Sequence, residues 1–175
     1  EGPILSGIKR LNHAVLFVSD LNTAVDFYTG PLGFEILDRE PRMNAAFLRV
    51  PESTNHHDLG LFGLGDQAAP PGRGQVGLYH LAWQVDTIDD LAEMRGALLQ
   101  AGALTGESSH GATLSLYGAD PDGNQFEIMW MLPRAAWGEY AEKAVVQHLD
   151  LDAELARWTG VATTHEAMPQ YTGTG

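Results

Sequence analysis

His110, Tyr117 and Glu127 flank a strong turn signal, and their side chains are of the kinds that move protons and bind metal ions. Between Tyr117 and Glu127 run Asp120, Pro121, Asp122, Gly123 and Asn124. Proline presets φ there, glycine accepts positive φ, and Asp and Asn side chains bond to their own backbone. Residues 113–117 and 125–130 on either side alternate as strands do. A hairpin-like pair is therefore expected to aim the three side chains at one region. Glu127 is anomalous, because it sits in Phe126-Glu127-Ile128-Met129-Trp130, a strand apolar enough to be buried. A buried carboxylate is costly unless it is paired or bound to a metal.

Two histidines offer the remaining donors. His13 lies in residues 8–18 and His80 in residues 77–86, both read as strands, and each stands among apolar neighbours. Two histidines and one carboxylate are the set that holds non-haem Fe(II) on one face and leaves positions open for substrate and oxygen. A lone histidine on a strand is more often a satisfied core or edge residue. The pairing shifts that balance, since His13 and His80 occupy equivalent places in two similar stretches, and a metal site at His13, His80 and Glu127 is expected. His56 and His57 are adjacent at the head of a strand, so at most one can face such a site. His56 is read as a surface residue.

The elements that must position these groups repeat. Asn12 to Tyr28 and Tyr79 to Arg95 carry the same order of strand, central histidine, cap and helix, with His13 and His80 67 residues apart. In the first stretch Ser19-Asp20 offers a cap, the helix follows with Leu21, Ala24, Val25 and Tyr28 on one face, and Gly30-Pro31 ends it. Strands are expected at 34–38, 45–50 and 58–64. In the second, Asp86-Thr87 caps a helix closed by Gly102, and three strands run to Trp130. Internal duplication weighs heavily on fold class. The reading is α+β: two tandem βαβββ modules, 8–64 and 77–131, joined by a Gly/Pro-rich linker at 65–76, form one domain over 8–131. Residues 132–175 form a C-terminal extension with one helix, capped by Asp150 and stopped by Gly160, and a polar tail expected to be flexible or draped on the surface.

Composition narrows the partners. A chain of 175 residues, 44% of them hydrophobic, can bury a full core. The formal charge of −13 argues against nucleic acid and anionic membrane. With no cysteine, disulfides and thiolate metal sites are excluded and a reducing, cytoplasmic setting is the simplest expectation. No apolar run is long enough to span a bilayer.

These residues resemble the vicinal oxygen chelate superfamily, which includes glyoxalases, fosfomycin- and bleomycin-resistance proteins and extradiol ring-cleaving dioxygenases. His110, Leu116-Tyr117, Asp120-Pro121, Gly123 and Glu127 stand in the order and spacing of the type I extradiol dioxygenase signature. The resemblance extends over 8–131. It implies Fe(II), or Mn(II), bound by His13, His80 and Glu127, with His57 as the acid–base histidine and His110 and Tyr117 hydrogen-bonding the catechol oxygens. The implied partners are a small-molecule catechol and O2, and the implied assembly a homo-oligomer. With one pair of modules the chain is similar to the smaller, one-domain members. Ser108, two residues before His110, departs from the usual pattern.

Three functions follow from that family. Extradiol (meta) cleavage to a 2-hydroxymuconic-semialdehyde-type product is favoured. A glyoxalase-like isomerase would want a further Glu at the end of the fourth strand, where residues 56–65 hold no glutamate and only Asp58 as a carboxylate. A drug-sequestering protein of the bleomycin-resistance type would not need the metal triad. Trp137, Tyr140 and Trp158 are candidates to wall the pocket, although packing of the extension onto the core is the favoured reading.

Overall fold

The computed structural model describes residues 7, 8, 10–70, 72 and 74–164. The chain divides into two units, Glu1–Ala69 and Pro70–Gly175. Among the described residues no helix is long and apolar enough to cross a membrane.

In the first unit β1 (Ala14–Val18) leads into α1 (Leu21–Thr29), and β2 (Glu35–Glu40), β3 (Ala45–Arg49) and β4 (Leu59–Gly63) follow. Asp20 starts the helix by accepting from the Thr23 N–H at 2.7 Å, which satisfies one of the donors a first turn leaves open. Ala24, Val25 and Tyr28 are the buried face of α1, at the spacing that puts side chains over the same stripe. The sheet order is β1-β4-β3-β2, with β1 parallel to β4 and the other pairs antiparallel. Two parallel strands need a long crossover, and here α1, β2 and β3 supply it.

The second unit repeats the plan. It holds β5 (Leu81–Gln84), α2 (Ile88–Gln100), β6 (Leu104–Ser109), β7 (Thr113–Ala119) and β8 (Gln125–Met131), in sheet order β5-β8-β7-β6. β5 begins 67 residues after β1 and α2 begins 67 after α1, which is the period expected from the histidines. Thr87 and Asp90 form a reciprocal capping box at the start of α2. Even an irregularity recurs: each outer strand, β2 and β6, carries a register shift against its neighbour. Such bulges are a common way to blunt an exposed edge.

Alternation along β7 and β8 separates core from site. Leu114 and Leu116 on β7 and Phe126, Ile128 and Trp130 on β8 are buried, together with Ile88, Leu91 and Leu98 of α2. The intervening residues, among them Tyr117 and Glu127, belong to the opposite face of the sheet. Asp120 closes the β7–β8 turn, accepting from the N–H groups of Asp122 and Asn124 and from the Asn124 amide, each at 2.9 Å.

The strands are shorter than expected at their starts. His13 and His80 each stand one residue before their strand, not within it. Beyond Pro133 the extension makes short 3-10 turns at Arg134–Ala136 and Gly138–Ala141, then pairs Gln147 with Ser109, and ends in α3 (Leu151–Trp158). Asp150 caps α3 through the Ala153 N–H, and Gly160 follows with φ +73°, as expected. The tail, expected to be flexible or draped on the surface, begins as a tethered segment. Thr163 is buried, its N–H donating to the Asp86 carbonyl and its hydroxyl to that of Met131, while Thr164 donates to the Asp86 carboxylate. Residues 165–175 lie outside the described residues.

Candidate active site

In the second unit, register brings the chemistry together. Tyr117 and Glu127 are direct cross-strand partners on β7 and β8, so their side chains share a face. β5 runs parallel beside β8 with Ala82 opposite Glu127, and His80 stands just before β5. The result is a close pair, His80 Nε2 and Glu127 Oε2 at 3.0 Å. The His80 ring centroid is 5.9 Å from that of Tyr117. His80 Nδ1 is buried and has no hydrogen-bond partner among the described residues.

His110 sits in the β6–β7 connection and completes a second contact. Its Nε2 is 2.6 Å from the Tyr117 hydroxyl and 2.9 Å from Ser108 Oγ, and its Nδ1 is 2.7 Å from the Val145 carbonyl oxygen. Ser108 Oγ is also 3.4 Å from the Tyr117 hydroxyl. Ser108, noted in the sequence only as a departure, is thus a member of the cluster. Val145 was not foreseen at all, because the contact uses a backbone carbonyl that every residue type carries.

In the first unit, the His13 and His57 rings lie 4.4 Å apart, with Phe47 5.3 Å from His57. Burial holds the His57 imidazole below its ordinary range, and the positive character of His13 and His56 adds to this, against an opposing pull from Asp58. His56 is exposed, as expected for a surface residue. Asp58, next in sequence, is buried and fixes the loop that presents His57. It accepts from the Val50 N–H and Ser53 Oγ at 2.9 Å and from Asn55 Nδ2 at 2.6 Å. Asn55 in turn donates to the Asn12 carbonyl at 2.9 Å, which ties that loop to the residue before His13.

The six candidate residues thus fall into two groups, His13 and His57 in the first unit and His80, His110, Tyr117 and Glu127 in the second. Among the described residues no three His, Cys, Asp or Glu side chains form a group able to hold an ion. The pair in the second unit nevertheless fits a metal. An imidazole nitrogen and a carboxylate oxygen are the donors such ions take. His80 Nε2 and Glu127 Oε2 supply one of each, 3.0 Å apart. Trp137, Tyr140 and Trp158 of the extension pack on the core. Trp137 Nε1 donates to the Leu132 carbonyl at 2.7 Å, Trp158 lies 6.2 Å from Trp130, and Tyr140 lies against Gly111. A cleft of about 720 Å³ elsewhere in this unit, lined by Arg95, Glu107, His148 and Asp150 among others, includes none of the candidate residues.

Comparison with known proteins agrees with the fold. Biphenyl-2,3-diol 1,2-dioxygenase 3 of Rhodococcus globerulus is 35% identical over 127 residues, covering 68% of this chain and 62% of the relative. Catechol-2,3-dioxygenase of Bacillus subtilis is 28% identical over 131 residues, covering 73% of this chain and 44% of the relative. The chain therefore spans less than two thirds of the length of either. Among solved structures, a glyoxalase/dioxygenase from Nostoc punctiforme superposes with a TM-score of 0.63 at 21% identity, covering 76% of this chain and 99% of the other. The family model for the Glyoxalase/Bleomycin resistance protein/Dioxygenase superfamily matches residues 10–128. With its two βαβββ units and that match, the chain belongs to the Glyoxalase/Bleomycin resistance protein/Dioxygenase superfamily.

Proposed function

We propose that the protein is an extradiol dioxygenase that cleaves a catechol-type substrate beside its two hydroxyls with O2, giving a 2-hydroxymuconic-semialdehyde-type product. The observation that carries this is the His80–Glu127 pair standing on the same sheet face as the Tyr117–His110 pair. Fe(II), or Mn(II), is assigned to His80 and Glu127, with His13 as third ligand because it precedes β1 as His80 precedes β5. The ion, when bound, would hold catecholate and O2 side by side and let electron density pass between them.

The chain's own groups handle the protons. A catechol must lose a proton on binding, and His57, whose pKa burial lowers, is suited to accept it and return it later. Tyr117 meets a substrate oxygen, and His110, hydrogen-bonded to it, orients it. The reaction balances without further reagents, since both atoms of O2 enter the product and the ring bond supplies the electrons. The isomerase alternative finds no support at β4, where Leu59–Gly63 holds no carboxylate and Asp58 is occupied by three donors. The reading includes a homo-oligomer acting in the cytoplasm, with a small-molecule catechol and O2 as its partners.

The test is anaerobic loading with Fe(II), then air, against catechol, 3- and 4-methylcatechol, 2,3-dihydroxybiphenyl and a catechol amino acid. A yellow, iron-dependent band that fades on acidification is expected with at least one. Iron bound stoichiometrically with no band across the panel counts against ring cleavage, and failure to bind iron counts against the metal site.

A further inference from the structure

We propose that the C-terminal extension fixes the tautomer of His110, so that Tyr117 gives its proton inward and presents an oxygen lone pair to the ligand. One partner of the His110 ring cannot reverse its role. The Val145 carbonyl only accepts, so at 2.7 Å from it His110 Nδ1 must carry the hydrogen. In the neutral ring Nε2 is then an acceptor. Two hydroxyls reach it, Tyr117 at 2.6 Å and Ser108 Oγ at 2.9 Å; the shorter contact makes Tyr117 the donor, which leaves the Ser108 hydrogen for the Tyr117 oxygen, 3.4 Å away.

The chain places Val145 with several independent contacts. Ser109 and Gln147 exchange two backbone hydrogen bonds, each 2.9 Å, on the strand edge next to His110. Tyr140 closes over Gly111, so near that an added Cβ would stand 2.4 Å from the ring. Between these anchors the extension has little freedom to withdraw the Val145 carbonyl. His110 is itself held from behind, its N–H donating to the Thr113 carbonyl at 2.8 Å.

The direction of the chain sets what the site accepts. With its hydrogen committed to His110, Tyr117 favours a group that donates, such as a free phenolic hydroxyl, over one that only accepts, such as an ether or ketone. This consequence rests on the dioxygenase reading, whereas the tautomer does not. Val145 and Ser108 are positioning residues in this scheme.

Nitrogen-15 NMR of the intact, labelled protein tests it, using long-range proton–nitrogen couplings that distinguish the two neutral tautomers. The measurement is made at about pH 8, above the ordinary imidazole range. His110 is identified by the signals lost in His110→Gln. The expected result is the Nδ1–H form in the wild type and in Tyr117→Phe, in contrast to the Nε2–H form that exposed histidines favour. Gln147→Pro, which removes the amide donor to Ser109, should shift His110 toward Nε2–H. An Nε2–H ring in the wild type overturns the proposal, as does an unchanged tautomer in a folded Gln147→Pro. If His110 is Nδ1–H while no catechol is cleaved, the tautomer stands and the dioxygenase reading falls.

Discussion

Gly111 is where the hairpin and the extension meet, and Gly111→Ala should separate them. The residue has φ +81°, in the left-handed region that costs an L side chain about 1–2 kcal/mol. Its new Cβ would also lie 2.4 Å from Cγ and Cδ1 of Tyr140 and 2.9 Å from Cδ2. Real Cβ atoms do not approach a ring so closely, so Tyr140 must move, and overpacking of this kind costs about 1–3 kcal/mol. The total is about 2–5 kcal/mol. Gly123 is the control, with φ +85° and nothing within 4 Å of a Cβ, so Gly123→Ala should show only the backbone part, about 1–2 kcal/mol. Denaturant unfolding monitored by fluorescence reads both, as a shift in midpoint at constant slope. Combining Gly111→Ala with Tyr140→Ala should recover the steric part, giving a favourable coupling of about 1–3 kcal/mol in a double-mutant cycle. Equal losses at Gly111 and Gly123, or no coupling to Tyr140, would refute the claim that this contact seats the extension.

Other expectations address the site and its supports. Glu127→Ala should abolish stoichiometric Fe(II) binding, read by elemental analysis after desalting, because it removes the only anionic donor of the proposed set; full retention would show the ligands misassigned. His57→Ala should keep the metal and lose about 10²–10⁴ in turnover, the usual worth of a positioned acid–base group, so near wild-type rates would remove His57 from that role. Asp89 anchors the end of α3 by accepting from the Thr159 hydroxyl and the Gly160 N–H. These bonds, the Thr159 side chain first, hold its carboxyl below the usual carboxylate range. A depressed folded value means the anchor is present above the unfolded value and is lost as pH falls through the folded one. Amide exchange at Gly160 should therefore rise as pH drops below about 3.8, the unfolded end of that window, once corrected for intrinsic exchange rates. Asp89→Asn should lack that dependence, and a pH-independent Gly160 in the wild type would contradict the anchor.

Much of the architecture could be read before any coordinates, because its signals are local. Asp20 and Thr87 announce the two helices through their own side chains, and the Asp120–Asn124 turn is written in residues that bond to their own backbone. The 67-residue repeat followed from pattern alone, and the six candidate residues were named from their types and order together with the resemblance to a known family. What tertiary structure decided is of longer range. Strand limits depend on where pairing stops, which is why His13 and His80 fall just before β1 and β5 and not inside them. The opposition of Tyr117 and Glu127 is a matter of register, and register depends on which face is buried across two strands. The tail begins with ties to Asp86 that no short stretch of sequence reveals. Least legible was the contact that orders the His110 chain of hydrogen bonds. A carbonyl 35 residues away carries no side-chain signature, and only the folded backbone brings it to Nδ1.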